Sequence, residues 1–309
     1  MISAENSGAP AVGVVIPTRN RPDLLRRAID SVISQDYPGP IEIVVVYDGA
    51  EPDASLERSD PLRSVRAIRN SRMPGLSGAR NTGMLALTTP YVASCDDDDY
   101  WLPGKLDRQI TRAQGPDRPE MVSSSITVEY DGQRHDRLAG TDTLTLADLT
   151  RSIHAMAHSS SYLWRREALI DMGLFNEEVP GGQCEDWDIK LRAAARQPIA
   201  HVDEPLTVVQ WGRTSMFNRQ WGTKNAAHEW MLEHHPEIVA DRKGAARVYG
   251  QLAFGNAAEG NRRTALGWTW RTFGNDPTQF RWVLALAVVA WPPLSGRIMD
   301  LLHRFGRGI

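Results

Sequence analysis

Short apolar segments alternate with amphipathic segments in the first part of the chain. Residues 12–16 (VGVVI) and 41–47 (IEIVVVY) are nearly continuous apolar runs, which are typical of buried parallel strands. Between them, the apolar positions of residues 24–33 recur every three or four residues, and a YPGP segment follows at 37–40. This spacing predicts an amphipathic helix that ends at the turn. Strand, helix and strand in this order predict a right-handed βαβ unit.

The same patterns continue to about residue 190 and predict an α/β fold. Strands are predicted at 65–68, 91–94 and 159–164, with antiparallel strands within 121–130, and helices at 78–87, 144–150 and 166–172, after Leu102-Pro103 and after Gly181-Gly182. In open α/β sheets, ligands bind in the crevice outside the carboxyl ends of the strands. Thr18, Asp48 and the acidic residues after 91–94 all stand at such strand ends. We therefore expect these polar groups to meet in one crevice.

Four consecutive carboxylates, Asp96–Asp99, directly follow the predicted strand at 91–94. Like charges this close repel one another, so the run needs a compensating cation or it lowers stability. Divalent ions such as Mg²⁺ take oxygen ligands and keep positions open for substrate phosphates. The run therefore predicts a divalent-metal site, and a solvated acidic turn is an equally good interpretation of the run alone.

The pattern becomes helical after residue 222. Residues 246–258 and 262–273 predict two helices, and fifteen uncharged residues lie between Arg281 and Arg297. This stretch is shorter than the roughly 20 residues that span a bilayer, and a Pro-Pro pair interrupts it. A basic amphipathic tail follows, as in an interfacial membrane anchor.

The other interpretation of residues 280–309 is a helix packed against the rest of the chain or in a homodimer interface. In either case we predict an α/β domain over residues 1–222 and a helical C-terminal extension over residues 223–309.

Composition changes this picture little. The 309 residues carry a net charge of −3, with 41% hydrophobic and 24% charged positions, which is ordinary for a soluble globular protein and gives no sign of a nucleic-acid partner. Cys95 and Cys184 cannot form a disulfide framework, which favours a reducing cytoplasm. Residues 1–10 lack the basic and apolar regions of a signal peptide. We expect a cytoplasmic protein, either in solution or peripheral on the inner face of the membrane.

Five motifs resemble those of family 2 glycosyltransferases, in the same order and spacing. They are VVIPTRN at 14–20, VYDG at 46–49, GARNTG at 78–83, DDDDYWLP at 96–103 and EDWD at 185–188. The resemblance covers roughly residues 12–215. It implies a GT-A fold, a nucleoside-diphosphate-sugar donor, a saccharide or lipid-linked acceptor, a Mg²⁺ or Mn²⁺ ion and inversion at the anomeric carbon. The implied enzyme is a hexosyl- or deoxyhexosyltransferase of polysaccharide, glycolipid or glycoconjugate biosynthesis.

The resemblance also implies roles for individual residues. Asp186 would be the general base, with Glu185 beside it, and Asp98 and Asp96 would hold the metal ion. The nucleotide would be bound by Pro17, Thr18, Arg19, Asp48, Arg80, Asp96, Asp97 and Arg213. The acidic run also allows a register in which Asp97 and Asp99 are ligands.

The chain departs from the family pattern in two places. The second strand ends in YDGA at 47–50, where the family often has a further acid or amide before the Asp and a Ser after the Gly. The segment WGRTS at 211–215 lacks a His that many relatives carry. These departures concern base recognition and the contact of Arg213 with the diphosphate.

The residue types suit glycosyl transfer, because a carboxylate can take the proton of an acceptor hydroxyl. One base without an enzyme nucleophile implies a single displacement and therefore inversion. For Glu185 and Asp186, the alternative role is stabilisation of a helix N-terminus. The histidines show no metal-ligand spacing.

Two other functions are weighed against this one. A sugar nucleotidyltransferase should carry a phosphate loop rich in Gly and basic residues, which PTRN at 17–20 does not resemble. The other is a non-catalytic cation-binding scaffold. The presence of both the acidic run at 96–99 and the Glu185-Asp186 pair argues against it.

Overall fold

The computed structural model describes residues 8–211 and 220–304. The chain forms two compact units, each built from separate segments. The first, called the sheet unit, consists of Met1–Thr145, His154–Glu177 and Arg192–Trp211. The second, called the helical unit, consists of Leu146–Ile153, Glu178–Leu191 and Gly212–Ile309.

Two segments that precede residue 222 thus cluster with the C-terminal helices, which the predicted domain boundary does not anticipate. Trp187 shows why: its buried indole Nε1 donates to the carbonyl of Leu149 at 2.8 Å, and the guanidinium of Arg247 lies 4.5 Å from its ring centroid. Such contacts join distant segments, and helical periodicity carries no information about them. The division at residue 222 itself stays a prediction.

The sheet unit contains one mixed, ten-stranded sheet. Its strands are β1 (Val12–Thr18), β2 (Ile41–Tyr47), β3 (Arg63–Arg69), β4 (Tyr91–Ser94), β5 (Tyr100–Trp101), β6 (Met121–Tyr130), β7 (Gln133–Arg137), β8 (Thr143–Leu144), β9 (Leu163–Arg165) and β10 (Ile199–Gln210). The order is β3-β2-β1-β4-β9-β6-β10-β5, with β7 paired to β6 and β8 paired to β10. β3, β2, β1 and β4 are parallel, as predicted, whereas β9 is antiparallel to both β4 and β6.

Helices accompany the sheet where the sequence predicts them. They are α1 (Pro22–Ile33), α2 (Leu76–Ala86), α3 (Lys105–Ala113) and α5 (Arg166–Asp171), while α6 (Glu185–Arg196) begins in the helical unit and ends in the sheet unit. α1 starts at a proline, whose missing N–H costs nothing in a first turn. Its apolar stripe is buried, and it forms one core with the buried residues of β1 and β2.

The packing of α2 on β1 is unusually close. A Cβ added to Gly83 would lie 2.4 Å from Val15 Cγ1, so only glycine allows this helix-to-strand distance. The contact matters for the site because α2 carries Arg80 and β1 ends at Thr18.

The predicted strand at 159–164 is wrong in its first half. Ser159–Ser161 form a 3₁₀ turn, and β9 begins only at Leu163. The Ser161 hydroxyl donates to the carbonyl of His158 at 2.7 Å, and the Ser94 hydroxyl donates to the carbonyl of Ser159 at 2.6 Å. Hydroxyl groups that bond to nearby backbone compete in this way with strand pairing.

The sequence patterns do not predict β10, the twelve-residue strand at Ile199–Gln210. Its apolar positions are interrupted by the polar and proline residues of the segment 203–205, and its register with β6 shifts there. A strand with such an irregularity loses the alternation by which sequence analysis recognises it.

The helical unit contains α4 (Leu146–Arg151), α7 (Trp221–His234), α8 (Pro236–Ala240), α9 (Arg242–Ala258), α10 (Arg262–Asn275), α11 (Arg281–Ala290) and α12 (Leu294–Arg304). The uncharged stretch between Arg281 and Arg297 forms two helices that are separated at Pro292-Pro293, as predicted. Among residues 8–211 and 220–304, no helix combines the length and the apolar character required to cross a bilayer.

The close approach of α2 to β1 can be tested with Gly83→Ala. The added methyl group must displace Val15, and overpacking of this kind lowers the free energy of unfolding by about 1–3 kcal/mol. Gly267→Ala on α10 is the control, because no atom lies within 4 Å of its added Cβ; it should raise stability by about 0.5–1 kcal/mol through helix propensity. Urea unfolding measures both variants. Equal effects of the two substitutions would contradict the close packing.

Candidate active site

The acidic run forms a turn at the carboxyl edge of the sheet. Beyond β4, Cys95 still pairs with β1, since its N–H donates to the carbonyl of Val15 at 3.0 Å. The chain then turns, and the N–H of Asp99 donates to the carbonyl of Asp96 at 3.1 Å. We call residues 96–99 the acid turn. Because β4, β1 and β2 are parallel, the ends of β1 and β2 lie at the same edge.

Asp96 is held by Arg80. The guanidinium Nη2 lies 2.7 and 2.9 Å from the two carboxylate oxygens of Asp96 and donates to Ser159 Oγ at 2.9 Å. The Arg80 side chain is fully buried, with Phe175 below it at 5.2 Å. Burial alone would raise the pKa of Asp96, but the charges of Arg80 and His158 outweigh burial and leave that pKa below its ordinary value. Asp96 is therefore a carboxylate kept ionised by a buried cation.

Asp97 and Asp98 share one arginine. Thr18 Oγ1 donates to Asp97 at 2.8 Å, and Arg21 Nη1 lies 3.1 Å from Asp97 Oδ1 and 2.5 Å from Asp98 Oδ2. Burial raises the pKa of Asp97 to about 6 despite the hydrogen bond from Thr18. Burial and the charge of Asp96 also raise the pKa of Asp98. One guanidinium does not offset two partly buried carboxylates.

Asp99 is the most buried of the four, with 1% of its surface exposed. Ser160 Oγ donates to it at 2.5 Å, and the N–H of Gln210 donates at 3.1 Å. His158 Nδ1 lies 3.4 Å from Asp99 Oδ2. Burial, followed by the charges of Asp98 and Asp96, raises the pKa of Asp99 well above its ordinary value.

The acid turn fits a divalent cation. Asp96, Asp99 and His158 each offer a ligand atom within 4.8 Å of the others. Two carboxylates and an imidazole suit a divalent ion such as Mn²⁺. The turn's carboxylates also outnumber the two arginines paired with them. The predicted ligand Asp98 lies outside this cluster and contacts Arg21, so its assignment as a metal ligand stays a prediction.

The end of β2 brings Asp48 to the same edge. Its carboxylate accepts hydrogen bonds from Asn70 Nδ2 at 2.9 Å and from the N–H of Gly75 at 3.1 Å. Its own N–H donates to the carbonyl of Thr18 at 3.0 Å. Each carboxylate oxygen keeps a second acceptor position. Asp48 is therefore fixed in place and able to accept a further bond.

The other predicted nucleotide-binding residues have different environments. Pro17 is buried within β1 opposite Val46. Arg19 is exposed, and its backbone N–H points at Asp97 Oδ2 at 3.4 Å. Arg213 lies outside the described residues.

The predicted base belongs to the helical unit. Glu185 and Asp186 form the first turn of α6, where acidic residues suit the helix dipole. Lys190, one turn later, places Nζ 3.4 Å from Asp186 Oδ2 and donates to the carbonyl of Ile153 at 2.6 Å. Burial lowers the pKa of Lys190, against the opposing effect of Asp186. The Asp186 side chain is 29% exposed, whereas Glu185 is 7% exposed. Asp186 is thus the more accessible carboxylate.

The loop before α6 is strained. Gly181, Gly182 and Cys184 have φ values of 61°, 63° and 69°, all in the left-handed region. Glycine adopts this region freely, but a cysteine does so only when its surroundings hold it there. Such strain concentrates at functional sites, and here it sets the direction in which the Glu185-Asp186 pair leaves the loop.

Sequence analysis did not identify His158, Arg21 and Ser160 as site residues. His158 and Ser160 reach the acid turn because β9 pairs with β4 in antiparallel register, a long-range pairing that local patterns do not encode. The run of three serines at 159–161 was the available signal, since hydroxyl groups next to a predicted strand can satisfy carboxylates. Arg21 directly follows the β1 motif and could have been chosen as a countercharge for the acidic run.

Comparison with known proteins supports a specific family. A model described as glycosyl transferase family 2 matches residues 13–173. A Campylobacter jejuni GalNAc(5)-diNAcBac-PP-undecaprenol beta-1,3-glucosyltransferase is 26% identical over 185 residues, which are 58% of this chain and 59% of that protein. The succinoglycan biosynthesis protein ExoO of Rhizobium meliloti is 32% identical over 142 residues, 46% of this chain and 40% of that protein.

An uncharacterized glycosyltransferase of Rickettsia felis is 25% identical over 234 residues, 72% of this chain and 37% of that protein. The chain therefore spans between 37% and 59% of the lengths of these three relatives.

Two solved structures share the fold. S. aureus TarS 1-349 in complex with UDP-GlcNAc superposes with a TM-score of 0.60 at 15% identity, covering 96% of this chain and 92% of that one. The Pyrobaculum calidifontis mannosyltransferase PcManGT, in complex with GDP-Man and Mn²⁺, superposes with a TM-score of 0.56 at 18% identity, covering 91% and 87%. At these identities the likeness shows the fold, and the predicted GT-A fold with a helical C-terminal region is confirmed.

Proposed function

The chain belongs to glycosyl transferase family 2, and from this premise we propose that it transfers a sugar from a nucleoside-diphosphate-sugar to an acceptor hydroxyl with inversion. The main support for this proposal is the composition and position of the acid turn. Its carboxylates exceed the cations paired with them, and they lie at the sheet edge that also presents Thr18 and Asp48. A nucleoside and a metal-bound diphosphate are the ligands that this combination suits.

Mg²⁺ or Mn²⁺ would be held by Asp96 and Asp98, with Asp99 and His158 as further donors from the cluster described above. When bound, the ion would neutralise charge on the leaving diphosphate. The chain's own residues would position the donor. Asp48 would accept a bond from the nucleoside, and Arg80 would keep Asp96 ionised and in place.

Asp186 would take the proton of the acceptor hydroxyl. The carboxylate is accessible, and the buried Lys190 ammonium orients one of its oxygens. A single carboxylate acting as base, without an enzyme nucleophile, implies one displacement and inversion. Glu185 is more buried and stands as the neighbouring alternative.

The acceptor would be a saccharide or a lipid-linked saccharide of polysaccharide, glycolipid or glycoconjugate biosynthesis. The relatives' names support this, since one acts on a PP-undecaprenol-linked saccharide and another serves succinoglycan biosynthesis. Among the described residues, no observation favours a sugar nucleotidyltransferase or a non-catalytic scaffold, the two alternatives considered from the sequence.

The helical unit would contact the membrane surface. Its last helices expose large apolar side chains, with Trp270 at 75% exposure: Leu266, Trp270, Phe273, Phe280, Val283, Leu286, Trp291 and Leu301. Basic residues lie among them, and Arg271 and Arg297 stack on Trp268 and Trp291 at 4.6 and 5.2 Å. Aromatic side chains mixed with arginines suit an anionic membrane interface.

The metal assignment predicts the behaviour of Asp98→Asn. Affinity for the nucleoside diphosphate in Mn²⁺ should fall at least about tenfold, whereas affinity in EDTA should stay the same. Asp107→Asn, at an exposed position of α3, is the matched control. Titration calorimetry measures the native protein, these two variants and His158→Gln. Unchanged affinity in Asp98→Asn together with loss in His158→Gln would move the ligand set to Asp96, Asp99 and His158.

The base assignment predicts that Asp186→Asn lowers turnover by about 10²- to 10⁴-fold. The amide keeps the size of the side chain but cannot accept a proton, and nucleotide affinity should change little. Donor turnover and nucleotide binding are measured on the same preparation. If Asp186 only stabilises the start of α6, the Asn variant should work nearly as well as the native protein. A loss confined to Glu185→Gln would assign the base to the neighbour.

The membrane contact predicts that Trp270→Ser and Trp291→Ser together weaken binding to anionic vesicles by at least about tenfold, because each exposed indole contributes on the order of 1.5–3 kcal/mol when buried. Leu138→Ser, at an exposed position of the sheet unit, should have no effect. Vesicle co-sedimentation measures binding, and analytical ultracentrifugation measures mass. No binding by the native protein, with a dimer that the double variant dissociates, would instead establish the homodimer interface.

A further inference from the structure

Four basic side chains from three helices of the helical unit lie close enough to interact, since the charges of Arg247, Lys224 and Arg281 all act on His228. On α7, Lys224 and His228 belong to the same stripe as Ala227 and Met231, which are fully buried. On α9, Arg247 belongs to the stripe that continues with Gly250 and the buried Phe254. Arg281 is the first residue of α11. Side chains three and four residues apart share one face of a helix, so Lys224 and His228 lie on the buried face of α7 and Arg247 lies on the buried face of α9.

Arg247 is buried without a countercharge. Only 6% of the residue is exposed. Its Nη1 donates to Gln251 Oε1 at 3.3 Å, and its guanidinium stacks on Trp187 at 4.5 Å. Its Nε and Nη2 find no acceptor among the described residues. A guanidinium carries five N–H donors in a planar fork that matches carboxylate and phosphate oxygens, so the Nε and Nη2 of this buried arginine can donate to the oxygens of an anion.

Arg281 repeats the pattern. Its Nη1 donates to Gln279 Oε1 at 2.8 Å, whereas its Nε finds no acceptor among the described residues. Its side chain packs directly on α9, where a Cβ added to Gly250 would lie 2.7 Å from Arg281 Cβ. Gly250 is one turn from Arg247, so the two guanidinium stems lie against the same face of α9. A cation in the first turn of a helix also opposes the helix dipole.

The basic side chains of this cluster are not paired with carboxylates. Neither arginine nor Lys224 forms an ion pair with a carboxylate in the part of the chain that the structure describes. Burial, with the charge of Arg281, lowers the pKa of Arg247 to about 9, and burial lowers the pKa of Arg281 to about 10. Burial and the charges of Arg247 and Lys224 lower the pKa of His228 to about 3, so His228 is a neutral hydrogen-bonding group. Uncompensated buried charge is destabilising, and departures of this kind are expected at functional or strained sites.

We propose that Arg247 and Arg281, with Lys224 and His228, bind a phosphate or diphosphate group that belongs to the acceptor. Two arginines and a lysine can balance the charge of such a group, and the arginine forks can hold its oxygens in pairs. The neutral imidazole can donate one further hydrogen bond.

The position of the cluster assigns the anion to the acceptor. Arg247 stacks on Trp187, the residue after the proposed base, and the charges of Arg247 and Lys224 also act on Cys184, the residue before Glu185. An anion held here lies in the same unit as Asp186 and adjoins the start of its helix. This assignment rests on the proposed role of Asp186, whereas the existence of the anion site does not. The acceptor is accordingly a phosphate-bearing saccharide or lipid-linked saccharide.

The test uses inorganic pyrophosphate in EDTA as the probe, with Arg247→Gln and Arg281→Gln as variants and Arg263→Gln, at an exposed position of α10, as the control. Pyrophosphate should raise the melting temperature of the native protein and of the control, because a ligand that binds only the folded state stabilises it. Each cluster variant should lose at least about tenfold in pyrophosphate affinity, measured by calorimetry. Without the anion, each should melt at or above the native temperature, because a repulsive buried charge has been removed.

A structural role for the arginines predicts the opposite pair of results: lower melting temperatures without pyrophosphate and an unchanged pyrophosphate response. That outcome would overturn the proposal. If a Gln variant fails to fold, Arg247→Lys and Arg281→Lys replace it. They keep the charge but lose the planar fork, so weaker pyrophosphate binding by a folded Lys variant supports the site, and native affinity overturns it.

Two further measurements separate the acceptor from the donor as the source of the anion. Arg281→Gln should bind the nucleoside diphosphate with Mn²⁺ as tightly as the native protein, and Asp98→Asn should keep its pyrophosphate binding in EDTA. If Arg281→Gln instead loses nucleotide affinity, the anion is the donor's diphosphate and the acceptor assignment is wrong. Failure of the native protein to bind any nucleotide would contradict the proposed function and leave the pyrophosphate result standing.

Discussion

Four adjacent carboxylates repel one another strongly when they share a partly buried turn, because little solvent lies between them to screen their charges. The surroundings of the acid turn follow from this constraint. Arg80 is fully buried in order to reach Asp96, and Arg21 divides its guanidinium between the two carboxylates that follow. Hydroxyl and backbone N–H groups supply the bonds to Asp99. The balance is still incomplete, since burial raises the pKa of three of the four.

The positions of the surrounding elements serve this turn. β1 delivers Thr18, β9 and its preceding 3₁₀ turn deliver Ser160 and His158, and α2 delivers Arg80. The close contact at Gly83 between α2 and β1 brings that helix near enough to the strand ends for Arg80 to reach Asp96. Excess negative charge in the acid turn lowers the stability of the fold but favours the binding of a cation. Functional sites commonly reduce stability in this way.

The helical unit shows the opposite imbalance. Its cluster of basic residues has no carboxylate partner among the described residues, and it adjoins the start of the helix that carries Asp186. The acid turn of the sheet unit therefore has an excess of negative charge, which suits a divalent cation. The basic cluster of the helical unit has an excess of positive charge, which suits an anion. Under the proposed function, these charge imbalances would correspond to the two substrates, a metal-bound nucleotide donor and a phosphate-bearing acceptor.

Much of this arrangement could be predicted from the sequence, and the reasons for the exceptions are physical. The apolar runs of β1 and β2 and the periodicity of α1 are local patterns, and parallel pairing then fixes that Thr18, Asp48 and the acidic run share one edge. His158 could not be predicted, because it reaches Asp99 through antiparallel pairing across some sixty residues of chain. β10 was hidden by its irregular register with β6.

The basic cluster was also hidden from sequence analysis. Arg247 and Arg281 look like ordinary surface residues of amphipathic helices, but the packing of α9 and α11 buries Arg247 and half-buries Arg281. No recognisable motif marks Arg247 within α9. The sequence therefore predicts the helix but not that the helix buries this guanidinium.

Under the proposed function, the acid turn holds a divalent cation together with the donor's diphosphate. Electron-nuclear double resonance of Mn²⁺ bound to the protein, with a nucleoside diphosphate added, tests it directly. We expect an immobilised, protein-bound Mn²⁺ with phosphorus-31 coupling from the diphosphate, and loss of that protein-bound signal when Asp96 and Asp98 are both replaced by Asn. A spectrum identical to that of the Mn²⁺–nucleotide complex free in solution would contradict metal binding at the acid turn.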